Sequence, residues 1–268
     1  MRQRIVTAAL LLVLVTLLAL RAPSPAFIAI LAVVLFLAAR EWWLLARVSS
    51  PWPPALLAAT FSGIGAIPDR LAPPILALGA SLFWTLIPLL LARAVRPGPG
   101  LRPLSAVFSR FLSIPVLLPP FLLAAWVQGF HGGLLLWGIL LISASDVGAM
   151  FAGRRFGRRR LAPLLSPGKT VEGLWGGLIA GALVGTLGAG LLYGMHAGVL
   201  AMGAATGAVV SGYGVLGDLL ESLLKRSCGK KDSGTLLPGH GGILDRIDAM
   251  TSGLPVFFLF SYFQGWWT

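Results

Sequence analysis

Residues 172–194 read EGLWGGLIAGALVGTLGAGLLYG. A helix needs about 20 apolar residues to cross the hydrocarbon core of a bilayer, and this stretch is long and apolar enough. Gly173, Gly177, Gly181 and Gly185 recur at every fourth position, so they share one face of that helix. Small residues at this spacing let two backbones approach closely in lipid, where association depends on packing. Gly203, Gly207 and Ser211 repeat the device on the next apolar segment. Both faces read as packing surfaces within one chain rather than as a dimer seam.

Outward from this stretch the 268-residue chain keeps the same character. It is 57% hydrophobic and only 11% charged, with a mean hydropathy of +0.87. Soluble domains are nearer 45–50% apolar and about 25% charged, which excludes a soluble globular protein. Disorder needs the opposite composition and is excluded too. The 34 glycines and 19 prolines suit membrane helices. Apolar segments fall at 4–20, 26–46, 53–67, 71–92, 104–128, 132–152, 172–194, 197–224 and 249–267. The expected fold is therefore all-α, a polytopic integral membrane helix bundle of about nine transmembrane helices. The third segment is short and proline-flanked, so it reads as a half-span or a tilted helix, which leaves eight spans in the first case. The first segment resembles a signal peptide, but Arg21 interrupts its end and no small-x-small site follows directly. It reads as an uncleaved span.

A formal charge of +12 on a soluble protein would suggest nucleic acid. In a membrane chain, basic residues orient helices and meet anionic headgroups, so no nucleic-acid partner is expected. With a cytoplasmic N-terminus and nine crossings, every lysine and arginine except Arg21 and Arg70 falls on the inner side. The C-terminus is then expected outside. The single cysteine, Cys228, permits neither an intrachain disulfide nor a cysteine-rich metal site. Of nine acidic residues only Glu41 and Asp69 precede Asp146. Residues 1–103 thus read as an N-terminal transmembrane scaffold, and 104–268 as the catalytic region, with its site at the cytoplasmic face.

Three clusters carry the chemistry. Asp146 lies near the end of a span, where a carboxylate is costly and marks a functional candidate. A run of arginines at 154–160 precedes Ser166-Pro167-Gly168-Lys169-Thr170, which reads as a loop. There glycine frees the backbone, while lysine and threonine supply a charge and a hydroxyl suited to phosphate. The next helix begins near Thr170, so its amides could help hold an anion. This is not a Walker A loop, because its leading glycine is missing and no strand is expected before it. The third cluster is the densest. Asp218, Glu221, Ser222 and Lys225 fall on one helix face, and Arg226, Lys230, Lys231 and Asp232 follow. His240 sits in a glycine-rich turn, and Asp245, Arg246 and Asp248 open the last span. Carboxylates interleaved with cations suit a polyphosphate bound with Mg²⁺, which takes one or two carboxylates plus substrate phosphates. His131 and His196 carry no evident role.

These residues resemble the phosphatidate cytidylyltransferases, also called CDP-diglyceride synthases. That family's C-terminal signature runs Ser-x-apolar-Lys-Arg, then Lys-Asp-x-small, then His-Gly-Gly-apolar-x-Asp-Arg-apolar-Asp. Ser222 through Asp248 fits every position. Ser166 to Gly173 is similar to the Ser-Pro-Gly-Lys-Thr-x-Glu-Gly stretch, and Ala39-Arg40-Glu41-Trp42 to an N-terminal element. The chain departs at Ser145-Asp146-Val147-Gly148-Ala149-Met150, where the family usually shows Ala-Asp-Ser-Gly-Ala-Tyr.

The resemblance implies the reaction of CTP with phosphatidate to give CDP-diacylglycerol and pyrophosphate. It also implies Mg²⁺ dependence, a homodimer, and a cytoplasm-facing polar cavity in a bacterial cytoplasmic membrane. It places the metal on Asp218 and Asp245, with Asp248 beside it or on a second cation. Lys225 and His240 join these as catalytic candidates. Ser166, Lys169, Thr170, Ser222, Arg226, Lys230, Lys231, Asp232, Arg246 and Asp146 are candidates for holding substrate phosphates. Two other readings compete, a CTP-dependent lipid kinase of the polyprenol or phytol type and a transporter using intramembrane carboxylates.

Overall fold

The computed structural model describes residues 13–67, 72–95, 101–236 and 241–267. Among them run α1 (described over 13–21), α2 (Ser24–Leu45), α3 (Trp52–Gly65), α4 (Ala72–Ala94), α5 (Ala106–Phe156), α6 (Val171–Tyr193), α7 (Ala197–Ser227) and α8 (Leu244–Phe263). Each expected apolar segment carries helix, two of them within α5. Helices α2, α4, α5, α6 and α7 are long and apolar enough to cross a bilayer, and the chain is a multi-pass membrane protein. Helix α3, at 14 residues, is about 21 Å long, shorter than the hydrocarbon core.

Helix α5 has 51 residues and an arc length of about 75 Å, more than twice the core thickness. It bends at His131, whose φ of −151° and ψ of 70° are not helical. The break was expected as a loop between two spans. Instead the His131 Nδ1 accepts the Leu134 N–H at 3.1 Å and caps the second limb. The role missing from the sequence reading of His131 is therefore structural.

Helix α6 lies between the second limb of α5 and α7. A Cβ on Gly177 would meet the Ser145 carbonyl at 3.1 Å, and one on Gly181 the Gly207 carbonyl at 2.7 Å. The four-residue glycine ladder and its partner on α7 thus pack within the chain, as expected. On the opposite side of α6, Trp175, Ile179, Leu183 and Leu187 are exposed. Two positions along a helix turn the side chain by about 200°, so the close-packed and lipid-facing stripes follow from one repeat.

Helix α8 runs through the middle of the bundle against α2, α4, α5 and α7, and is buried continuously from Thr251 to Leu259. One apolar core gathers Trp42, Phe61 and Trp84 with Leu223 and Leu224 of α7. The other gathers Trp137, Phe257 and Phe258 with Val210. The charged N-terminal end of α8 is thereby fixed against the C-terminal end of α7.

The all-α architecture holds, and the reading of Ser166–Thr170 as a loop is the one that needs correction. Residues 160–170 form an antiparallel hairpin of β1 (Arg160–Ala162) and β2 (Ser166–Thr170), with Arg160 opposite Thr170 and Ala162 opposite Ser166. The Leu165 N–H bonds the Ala162 carbonyl at 3.2 Å, closing the turn. Leu165 is buried in the first core, while Leu161 is half-buried and Leu164 exposed, so the Leu165 side chain pins the hairpin to the bundle.

Candidate active site

Thr170 ends the hairpin and starts α6, and its buried hydroxyl accepts the Gly173 N–H at 3.0 Å. That cap satisfies one of the unpaired donors that open any helix. It also aims the preceding residue, Lys169, into the bundle, where its ammonium pairs with the Asp218 carboxylate of α7. Lys169 lies within electrostatic reach of Asp248, Asp146 and Glu221, whose charges favour the ammonium, and of Lys225, which opposes it. Burial dominates and pushes the Lys169 pKa below the ordinary lysine value.

One turn along α7 from Asp218, Glu221 accepts from Lys225 Nζ at 2.9 Å, an i, i+4 pair. The same ammonium reaches across to Asp245 Oδ1 of α8 at 2.6 Å. Lys225 therefore clips α7 to α8. The other Glu221 oxygen, Oε1, is buried and has no hydrogen-bond partner, and Asp248 lies beside it. Adjacent carboxylates in a buried setting need a cation or a shared proton between them. Asp146 approaches the same group from α5, within reach of Asp248 and Lys169. Two residues on from Asp146, a Cβ on Gly148 would meet the Gly176 carbonyl at 2.9 Å, so α5 and α6 touch there backbone to backbone.

The start of α8 is held by two acids. Asp245 Oδ2 accepts from the Gly242 N–H at 2.8 Å, and from the Ser233 N–H and Oγ each at 3.0 Å. Glu41, from α2, accepts from the Ile243 and Leu244 N–H groups at 3.0 and 2.9 Å, and from Ser233 Oγ at 2.9 Å. The exposed donors of a helix N-terminus favour anions, and here the distant Glu41 and the helix's own Asp245 take them. Gly241 has a φ of +79°, and a Cβ there would meet Asp245 Oδ2 at 2.7 Å. Both the turn and the carboxylate require glycine at that position.

The structure thus brings Asp146, Lys169, Asp218, Lys225, Asp245 and Asp248 together. It adds Glu221 to the list of site residues, and Glu41 as the anchor of the loop before α8. Spacing already puts Glu221 on one helix face with Asp218 and Lys225, whereas Glu41 is an acid in an apolar segment of the region that reads as scaffold. Other candidates stand apart. Ser166 opens β2, and Ser222 is half-buried on α7. The Arg226 Nε donates to the Leu165 carbonyl at 3.4 Å and so braces the hairpin turn. Lys230, Lys231 and Asp232 are exposed on the loop after α7, and Arg246 is exposed at the start of α8. His240 lies outside the described residues. Among the described residues no three metal-ligating side chains converge as a ready-made cage.

The fold and site together define a multi-pass membrane bundle with a buried, lysine-bridged carboxylate cluster at one end of its helices. The chain matches the cytidylyltransferase family over residues 2–264 and belongs to that family. It is 44% identical over 141 residues to a phosphatidate cytidylyltransferase of Haemophilus influenzae, covering 50% of this chain and 48% of that one. A phosphatidate cytidylyltransferase of Pseudomonas aeruginosa is 43% identical over 161 residues, 58% of each chain. One of Staphylococcus epidermidis is 43% identical over 122 residues, 46% of each chain. These matches span about half the length of the relatives.

Proposed function

We propose that this protein transfers CMP from CTP to phosphatidate, giving CDP-diacylglycerol and pyrophosphate, in a bacterial cytoplasmic membrane with the site facing the cytoplasm. The observation that carries the reading is the cluster of Asp218, Glu221, Asp245 and Asp248 bridged by Lys169 and Lys225 at the α7–α8 end. Family membership and the names of the relatives support the substrates.

The donor set fits Mg²⁺. Its oxygens are hard ligands, carboxylates outnumber the lysines among them, and the Glu221 Oε1 has no donor. Mg²⁺ needs only one or two carboxylates when substrate phosphates and water complete its shell, so the lack of a three-residue cage is no obstacle. Asp218 and Asp245 would hold it, with Asp248 and Glu221 beside them or on a second cation. When bound there, the metal would supply positive charge to offset that of the triphosphate.

The chain's own residues then have two tasks. The nucleophile is a phosphate monoester, largely dianionic at neutral pH because its second pKa is about 6. No strong general base is needed. Lys225 and Lys169 lower the repulsion between two anions and fix the carboxylates they touch. Thr170 positions Lys169 by capping α6, and Glu41 positions Asp245 by fixing the loop before α8. A homodimer completes the proposed assembly.

The test is the identity of the small product. Protein in detergent with CTP, phosphatidate and Mg²⁺ is expected to release pyrophosphate. Release of CDP instead would make it a lipid kinase. Solute flux into liposomes without CTP, and no nucleotide product, would make it a transporter.

A further inference from the structure

Between the end of α5, the hairpin and the start of α6 lies a pocket of about 330 Å³, separate in its chemistry from the carboxylate cluster. Arg154, Arg160 and Lys169 line it, and Met150, Leu161 and Leu174 form its apolar side. No carboxylate lines it. Among the described residues neither Arg154 nor Arg160 makes an ion pair, whereas Lys169 shares its charge with Asp218. The two arginine charges are therefore available to an anion.

A phosphate monoester carries about −1.5 to −2 charge at neutral pH and presents three acceptor oxygens. Two guanidinium forks match that charge and geometry, since arginine binds phosphate bidentately. A metal-bound triphosphate needs carboxylates nearby, and this pocket offers none. The apolar side points to a lipid. Met150 is 41% exposed, and its neighbours Val147 and Phe151 are 50% and 63% exposed, so an apolar outer face of α5 adjoins the pocket. A headgroup entering from the bilayer would pass Met150 and meet the arginines.

We infer that this pocket binds the phosphate head of the lipid substrate, with Arg154 and Arg160 as its ligands, while the nucleotide occupies the carboxylate side. The inference rests on the function proposed above and deepens it. Lys169 belongs to both halves, lining the pocket and pairing with Asp218, so it marks where the substrates meet. There an oxygen of the lipid phosphate forms a bond to the α-phosphorus of CTP. The bond from that phosphorus to the bridging α–β oxygen breaks, and pyrophosphate leaves with its electron pair. A dianionic nucleophile surrenders no proton, so charge balances without another reactant.

The experiment compares wild type with Arg154→Ala, Arg160→Ala and the double variant in detergent micelles. Phosphatidate and CTP are varied separately. Loss of a charge-assisted contact predicts that the KM for phosphatidate rises about tenfold or more, with the KM for CTP within twofold of wild type. Arg160→Lys should recover part of the loss. Where turnover is too low to fit, the Kd for CTP with Mg²⁺ by calorimetry decides. An unchanged Kd supports the assignment and a weakened one overturns it. A rise in the KM for CTP, or unchanged values for both substrates, also overturns it. Absence of product from wild type itself would instead count against the proposed function.

Discussion

The Glu41 carboxylate takes donors from Ser233, Ile243 and Leu244, all more than 190 positions away in the chain. Removing it leaves buried N–H groups unpaired, at about 1–3 kcal/mol each. Glu41→Ala should therefore destabilise the protein by about 2–4 kcal/mol and lower activity by loosening the loop that holds Asp245. A thermal melt in detergent, with turnover measured below the melt, checks both. Thr170→Ala should cost about 1 kcal/mol, the usual worth of a helix cap, while Thr170→Ser keeps the cap. A melt of Thr170→Ala that matches wild type would contradict the capping role. At this scale, legibility followed sequence distance. Asp218, Glu221 and Lys225 fall on one helical face by spacing alone, and the structure joins Glu221 to Lys225. Nothing local to Glu41 could name its partners. Its burial in an apolar segment was the available signal that it had some.

Helices α6 and α7 touch through glycine, and that contact sets the distance between Lys169 at the head of one and Asp218 near the end of the other. A Cβ on Gly181 would meet the Gly207 carbonyl at 2.7 Å and clash with the Ser211 hydroxyl. Gly181→Leu should lower stability by at least about 1–3 kcal/mol, the usual cost of overpacking. Its effect on Lys169 and Asp218 would be indirect, through a wider α6–α7 spacing. Gly198→Ala, at a position with nothing within 4 Å of a new Cβ, is the control expected to melt like wild type. The four-residue repeat made this contact legible because one periodicity fixes both the packed and the lipid-facing stripe. The hairpin was not legible. Its strands span Arg160–Ala162 and Ser166–Thr170, too short to show an alternating pattern, and the burial of Leu165 and the Arg226 bond to its carbonyl, which hold the turn, are not local signals. The bend in α5 was legible as an interruption but not as a continuous helix, because a histidine side chain supplies the cap that a loop would otherwise need.

Across the whole molecule, apolar side chains cover the outside while charge collects at one end of the buried interior. Composition alone forecast the first property. The second depends on how α8 threads the bundle, and no local pattern states that its first turn meets the last turns of α7. If the carboxylate cluster holds a divalent cation, EDTA should abolish turnover and Mg²⁺ should restore it. The helical circular dichroism should not change, since lysine bridges already brace the carboxylates. Activity that persists in EDTA would remove the metal from the account. The most direct measurement is transfer of label from CTP, labelled at its α-phosphate, into lipid by purified protein given phosphatidate and Mg²⁺. The account predicts labelled CDP-diacylglycerol from wild type and none from Asp218→Asn of unchanged fold. Undiminished labelling by Asp218→Asn would contradict the assignment of the site, and no labelling by folded wild type would contradict the function.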